Sequence, residues 1–477
     1  MAHAGCTLRD LVTYEHERNQ ARGRATGTAP YRRKRVRRRT SAVPHWLDVT
    51  PPGAPAASLR SRNFVLFFTG RAVAKLGDAM LPLALSAGLI QHGHGPGAIG
   101  AALASLTVCL AGFVIFGGVF CDRFDTRTLM IGSDLVRVVT QAGMAALFLS
   151  GHVVLWQVCA IGAVNGICAG LFQPGVASTV PRVAADVQGA NGLIRTAESL
   201  AMLLGPALAG ALVGAFSPGG VFAAHAGTYL LSALCLALLR LPPAAGWRPA
   251  ERAGYRADLV EGWREFRART WMWSVILIWM VYMVTVSGPL VPLTASEIIP
   301  ADGPGVYGLV NSALGGGTAL GGLLALRFRP VLQLRAGSIA LLGCCCYPAA
   351  VGLGLPPAAM MAAAAMWGVG GGIWSVMWAT SVQTQVPGQI LNRIHAYEVA
   401  GSLAMMPVGQ ALAGPAAQLL GGRTVLLAGG VIMVGISASL LSVPAIRNLR
   451  AVTTRAGAAR SAEPSTDRGD HARDISA

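Results

Sequence analysis

Arg71, Lys75 and Asp78 are three ionisable residues inside one long apolar stretch. Spaced i, i+4 and i+7, they fall on one face of a helix. Counted from Phe64 at 1.5 Å per residue, Asp78 lies about 21 Å along that helix, past the middle of a hydrocarbon core about 30 Å thick. A carboxylate at this depth is expensive and faces a partner or a cavity. Two readings stand side by side. Asp78 is a proton acceptor modulated by Lys75, or it forms a fixed ion pair with Lys75 or Arg71 that holds the helix without titrating.

A second cluster lies between the apolar segments Ala98 to Phe120 and Leu129 to Ser150. The run Gly117-Gly-Val-Phe-Cys-Asp-Arg-Phe-Asp-Thr-Arg-Thr-Leu-Met130 carries Asp122, Arg123, Asp125 and Arg127, which hydrocarbon does not tolerate. The chain must surface there and re-enter as a tight hairpin. Gly117 and Gly118 allow the two helices to approach, and the charges pair with neighbouring helix ends. Asp134 and Arg137 stand one turn apart, as do Arg195 and Glu198. Placed near the cytoplasmic ends of their spans, such i, i+3 pairs contribute little by themselves. As gate elements they pair with Asp122 or Arg127 in one conformation and release in the other.

Trp367, Trp374 and Trp378 form a one-sided stripe about 16 Å long at 1.5 Å per residue. With Trp279 and Tyr282 they offer an aromatic wall suited to flat or amphipathic organic molecules, or simple packing and lipid contact. Asn165 and Gln173 are polar groups able to orient a ligand in the same cavity.

The elements that must position these residues follow from composition. A chain of 477 residues that is 53% hydrophobic and 12% charged, with 60 glycines, has too little polar material to cover a soluble surface. Stretches of about 20 apolar residues begin near Phe64, Ala98, Leu129, Val153, Gly192, Gly219, Trp271, Val306, Val331, Ala358, Ile394 and Thr424. The expectation is therefore an all-α membrane protein of twelve transmembrane helices. Arginine crowds alternate loops, with Arg182, Arg248 to Arg269, Arg327 to Arg335 and Arg393 on one side, and only Arg423 breaks the pattern. By the positive-inside rule both termini are cytoplasmic.

The formal charge of +17 is concentrated at the N-terminus, where residues 1–60 hold twelve Lys or Arg against four Asp or Glu, a balance of +8. Without aromatic interleaving or a folded module, this basic arm reads as disordered and as a contact with anionic lipid, not with nucleic acid. No secretory signal precedes it. The cysteines, including the triplet Cys344 to Cys346, show no metal-ligand spacing and read as reduced packing residues. No phosphate-binding loop occurs among a chain with two lysines, Lys34 and Lys75, and His92 and His94 lack a third metal ligand. No enzyme activity, cofactor or metal is expected.

Displaced by 204 residues, the chain matches itself: Gly117-Gly118 through Asp122-Arg123-Phe124 meets Gly321-Gly322 through Leu326-Arg327-Phe328, and Ala207 to Gly210 meets Ala411 to Gly414. A parallel repeat predicts two six-helix bundles, residues 61–241 and 271–446, with the substrate site between them near the midplane. The Arg-rich segment 242–270 is a cytoplasmic linker, either solvated or an interfacial helix, and 447–477 is a disordered tail. The second copy has Leu326 where the first has Asp122.

Gly118, Asp122, Arg123 and Arg127 match Gly-x-x-x-Asp-Arg-x-x-x-Arg, and the chain resembles the major facilitator superfamily over roughly residues 60–445. The resemblance implies that Asp122 also meets the start of the eleventh span, near Arg393, with Glu398 a turn deeper. Gly192, Gly205, Pro206 and Gly210 resemble a fifth-span motif of the antiporter branch, with alanine at 201 and 209 in place of two glycines. The tracts Phe172 to Arg182 and Asn392 to Glu398 resemble bacterial exporters that include enterobactin-type siderophore efflux proteins. The function implied is secondary active export of a small organic molecule (drug, siderophore or secondary metabolite), by proton antiport with alternating access. It would be carried out by a monomer, multi-pass in the plasma (inner) membrane and in contact with lipid. An importer or uniporter of the same fold, or a non-transporting receptor or lipid-handling relative, is the alternative.

Overall fold

A computed structural model describes residues 59–451 apart from 124, 185, 241–263, 265, 329 and 387–403, and omits the side chains of 114–123, 174, 177, 178 and 188. The basic arm, the C-terminal tail, most of the linker, the side chains of Gly118, Asp122 and Arg123, and all of Arg393 and Glu398 therefore lie outside the described residues.

An apolar chain in lipid must satisfy every backbone group internally, and helices do so. The first half runs α1 (Arg62–Gln91), α2 (Pro96–Arg123), α3 (Thr126–Ser150), α4 (Leu155–Val183), α5 (Val187–Ala215) and α6 (Pro218–Ala237). Short polar residues start these rods: Ser61 Oγ accepts from Phe64 N, Asp125 Oδ2 from Thr128 N, Asp186 Oδ1 from Gly189 N and Ser217 Oγ from Gly220 N. The second half begins with α7 (Thr270–Tyr282), which passes through a π-turn, Met283–Ser287, into α8 (Gly288–Arg327). Gly303, at φ 87°, breaks α8, a backbone setting that L side chains rarely adopt. The chain reverses there. Tyr307 Oη donates to Val291 O at 3.4 Å, although sixteen residues of straight helix would hold them about 24 Å apart.

Next come α9 (Gln333–Ala340), a 3₁₀ turn over Leu341–Cys345, α10 (Cys346–Gly352), α11 (Pro357–Gln385), α12 (Met406–Leu420), α13 (Gly422–Ser442) and the short α14 (Pro444–Arg447). The described residues contain nine stretches long and apolar enough to cross a membrane, of which Thr270–Arg327 is the one folded back at Gly303. Large apolar side chains such as Val139, Phe216, Leu419 and Val431 are 71–83% exposed on the outer surface. Hydrocarbon, not water, is the solvent that suits them.

Small residues hold the halves together internally. Gly162 and Gly166 of α4 sit on Ala102 O and Leu106 O of α2, and Gly368 and Gly372 of α11 sit on Leu314 O and Thr318 O of α8. The same small-x-x-x-small seat recurs in both halves, as a repeat requires. Arg423, the one arginine on the wrong side of the charge pattern, donates from Nε to Glu297 Oε2 at 3.0 Å. The seven described cysteines are free, with Cys345 Sγ and Cys346 Sγ 4.0 Å apart and Cys344 Sγ donating to Trp367 O.

Candidate functional site

Between the halves lies a cavity of about 1120 Å³. The first half lines it with Arg71, Lys75 and Asp78 from α1, Gln173 from α4, and Arg195 and Glu198 from α5. From α8 come Val291, Tyr307, Asn311, Leu314 and Gly315. The lining extends to Pro181 and Val187, where α4 ends and α5 begins, so the cavity reaches the end of the molecule at which α1 starts.

At the other end the halves meet backbone to backbone. A Cβ on Gly100 of α2 would land on Gln410 O of α12, and one on Gly414 would land on Gly97 Cα. Along the α5–α8 seam a Cβ on Gly210 would come within 2.6 Å of Pro304 O, and one on Gly308 within 2.5 Å of Pro206 O. Ala207 N donates across this seam to Ser312 Oγ at 3.0 Å. Of the fifth-span motif, Gly205 seats Ala79 of α1 and Gly210 seats α8, whereas Gly192 has open space where its side chain would be and lines the cavity instead. The expected packing face therefore begins deeper in the helix than the motif does.

Asp78 is the centre of a part-buried polar network at the cavity wall. Lys75 Nζ donates to Oδ2 at 2.7 Å, Tyr229 Oη donates to Oδ1 at 2.5 Å, and His225 Nε2 stands 3.6 Å from Oδ1. Arg71 does not join Asp78. Its Nη2 donates to Glu198 Oε1 at 2.8 Å, and Glu198 Oε2 accepts from Arg195 Nη1 at 3.2 Å. Gln173 Oε1 completes the Arg71 environment at 3.5 Å.

The placement of Asp134 and Arg137 corrects the expectation of a pair at the cytoplasmic rim. Asp134 stands about 12 Å into α3 at 1.5 Å per residue, is fully buried, and accepts from Ser232 Oγ at 2.7 Å. Arg137, 6% exposed, lies 5.0 Å from the Tyr229 ring centroid and 5.5 Å from that of Phe172. Both residues face the bundle interior because α3 packs against α6, which brings Tyr229 and Ser232 to them. Arg127 serves a different helix end: its Nε donates to Leu236 O at 2.9 Å and its Nη2 to Ala237 O, closing the last turn of α6.

The aromatic wall forms but turns away from the cavity. Trp279 stacks on Trp374 with centroids 5.4 Å apart, Trp374 on Trp378 at 6.2 Å, and Tyr282 meets both Trp279 and Trp367. These rings tie α7 to α11 inside the second half's own core, and none of them is in the cavity lining. Asn165 is likewise buried, donating to Thr140 Oγ1 and Ile161 O and accepting from Gln141 Nε2. Of the proposed ligand-orienting residues, Gln173 reaches the cavity.

His225, Tyr229 and Ser232 escaped the sequence reading. All three lie in one apolar span, and an intramembrane histidine was the available signal. The His225 ring occupies the space a Cβ at Gly77 would need, so that glycine admits the imidazole to the side of Asp78.

Helices long and apolar enough to cross a membrane, gathered around a cavity lined by residues from both halves of the chain, are the architecture of a multi-pass membrane transporter. The profile of the Major Facilitator Superfamily matches residues 67–406, and the chain belongs to that family. Among characterised relatives, macrolide efflux protein A of Streptococcus pyogenes is 21% identical over 272 residues, 55% of this chain and 65% of that protein. The uncharacterised MFS-type transporters YfiS and YvqJ of Bacillus subtilis (strain 168) are 32% identical over 124 residues and 23% over 389 residues. These matches take in 26% of this chain and 28% of YfiS, and 79% of this chain and 90% of YvqJ. The chain thus spans less than two thirds of YfiS and of macrolide efflux protein A. The fold is shared with the nucleoside transporter NupG, at TM-score 0.65 and 11% identity over 79% of this chain and 97% of that one. It is also shared with a bacterial homologue of the human lysosomal transporter Spinster, at TM-score 0.62 and 14% identity over 81% and 97%.

Proposed function

We propose that this transporter exports a small organic molecule by proton antiport, through alternating access of two six-helix halves. On this reading the chain crosses the plasma membrane twelve times with both termini in the cytoplasm, and the cavity faces the cytoplasm in the conformation described here. The single observation that carries the proposal is Asp78, held by Lys75 and Tyr229 at the wall of the central cavity. A carboxylate there exchanges its Lys75 partner for a proton, and the local charge changes by one unit each time. Export over import is supported by the antiporter-like α5 motif and by the likeness to macrolide efflux protein A. Drugs, siderophores of the enterobactin type and secondary metabolites are the cargo classes, and the gate at the cytoplasmic rim is assigned to Asp122, Arg123, Arg127, Arg195, Glu198, Arg393 and Glu398.

Inverted membrane vesicles that hold a proton gradient test this reading. Adding erythromycin, and then a panel of siderophores and metabolites, dissipates the gradient in wild-type vesicles when a cargo is met. Asp78→Asn vesicles do not respond. Cargo movement in Asp78→Asn with an unchanged pH dependence refutes proton coupling at this residue, and cargo-driven acidification of the lumen refutes antiport.

A further inference from the structure

The cavity is chemically one-sided. Among the described residues every charged group in its lining, Arg71, Lys75, Asp78, Arg195 and Glu198, comes from the first half, while α8 contributes neutral and mainly apolar side chains. The charged side carries three cations against two carboxylates. Both carboxylates are engaged by the first half itself: Asp78 accepts from Lys75 and Tyr229, and Glu198 accepts from Arg71 and Arg195, so each of the four oxygens has one donor. The cations are not saturated. Two guanidinium groups and an ammonium bring many more N–H donors than the four hydrogen bonds they make here. Arg71 is 9% exposed and its Nε has no hydrogen-bond partner among the described residues. Its guanidinium is braced 5.8 Å from the Phe172 ring centroid. A site with many spare donors and one surplus positive charge recognises a ligand that brings acceptors and negative charge.

We infer that the cargo is an amphipathic organic anion. Its carboxylate, or an equivalent acid group, lies against Arg71, Lys75 and Arg195, where it competes with Glu198, and its apolar body lies along Val291, Tyr307 and Leu314 of α8. A volume of about 1120 Å³ accommodates a drug-sized molecule in this pose. The inference deepens the reading of the cavity as the cargo site and is independent of which ion drives transport.

Three probes with one apolar body separate the charge preference: pyrenebutyrate, pyrenebutanol and pyrenebutylamine. Each is titrated against the full-length protein in nanodiscs of zwitterionic lipid at neutral pH, with binding read as pyrene fluorescence in excess of empty discs. The acid is expected to bind about tenfold or more tighter than the alcohol, as a charge-assisted contact provides, and the amine weakest. Arg71→Gln narrows the gap between acid and alcohol. Glu198→Gln removes the internal competitor and tightens the acid while leaving the alcohol unchanged, a gain that misfolding cannot produce. The inference is overturned if the amine binds best, if no probe shows saturable binding, or if Glu198→Gln weakens the acid. Proton antiport is judged separately, by the vesicle experiment with Asp78→Asn.

Discussion

The closed end of the molecule is the most sensitive point for a conformational test, and Gly414→Ala is the smallest change that reaches it. A methyl group at position 414 falls on Gly97 Cα and 3.0 Å from Gly97 N. Carbon atoms sit comfortably at about 3.5–4.0 Å, so the overlap exceeds about 1 Å. Both partners are backbone, and no rotamer change relieves it. Overpacking of this kind costs about 1–3 kcal/mol, charged only to the conformation in which α2 and α12 touch. The equilibrium between closed and open forms of this end shifts by about 5- to 150-fold. Spin labels at His94→Cys and Thr424→Cys, in a background with the native cysteines replaced by serine, report the distance across this end by pulsed electron resonance. The expected result is a longer-distance population that is larger in Gly414→Ala than in the parent. An unchanged distance distribution in folded Gly414→Ala protein refutes the argument that the glycine contact holds this end shut.

Two further outcomes follow from the buried networks. Asp134→Leu strips Arg137 of its nearest acid and Ser232 of its acceptor, and is expected to lower stability by about 3 kcal/mol, read from thermal unfolding in detergent. Adding Arg137→Met recovers part of the loss, and a neutral single variant would show that the pair carries no structural charge balance. Trp374→Ala opens the aromatic cluster between α7 and α11 and is expected to cost about 3–5 kcal/mol without changing pyrenebutyrate affinity, which a cavity-facing tryptophan would alter.

Much of the site was visible in the chain because membranes punish charge. Arg71, Lys75 and Asp78 stand out as ionisable residues on one helical face, whereas Glu198 reads as a gate residue and Gln173 as a ligand-orienting group, and only the structure brings all five to one cavity. Two placements were not legible, each for its own reason. The depth of Asp134 and Arg137 was judged from the start of an apolar run, but α3 begins three residues before that run, at Thr126, and the pair lies well inside the bundle. The tryptophan stripe was correctly one-sided, yet a stripe does not say what it faces, and Trp279 of the neighbouring helix claimed it for the core.

The membrane class, the helical run boundaries and the repeat are local properties, written in hydropathy, glycine spacing and charge, because a bilayer imposes the same requirement on every segment that enters it. Which side chains meet is decided by how each rod is rotated against its neighbours, and that depends on contacts between residues far apart in the chain, such as Gly77 making room for His225, and Tyr229 reaching Asp78 across 151 residues. The tertiary structure alone therefore decided that Asp78 is served from α6, that Arg71 belongs to Glu198, and that, among the described residues, the charged wall of the cavity comes from the first half and faces the apolar side chains of α8.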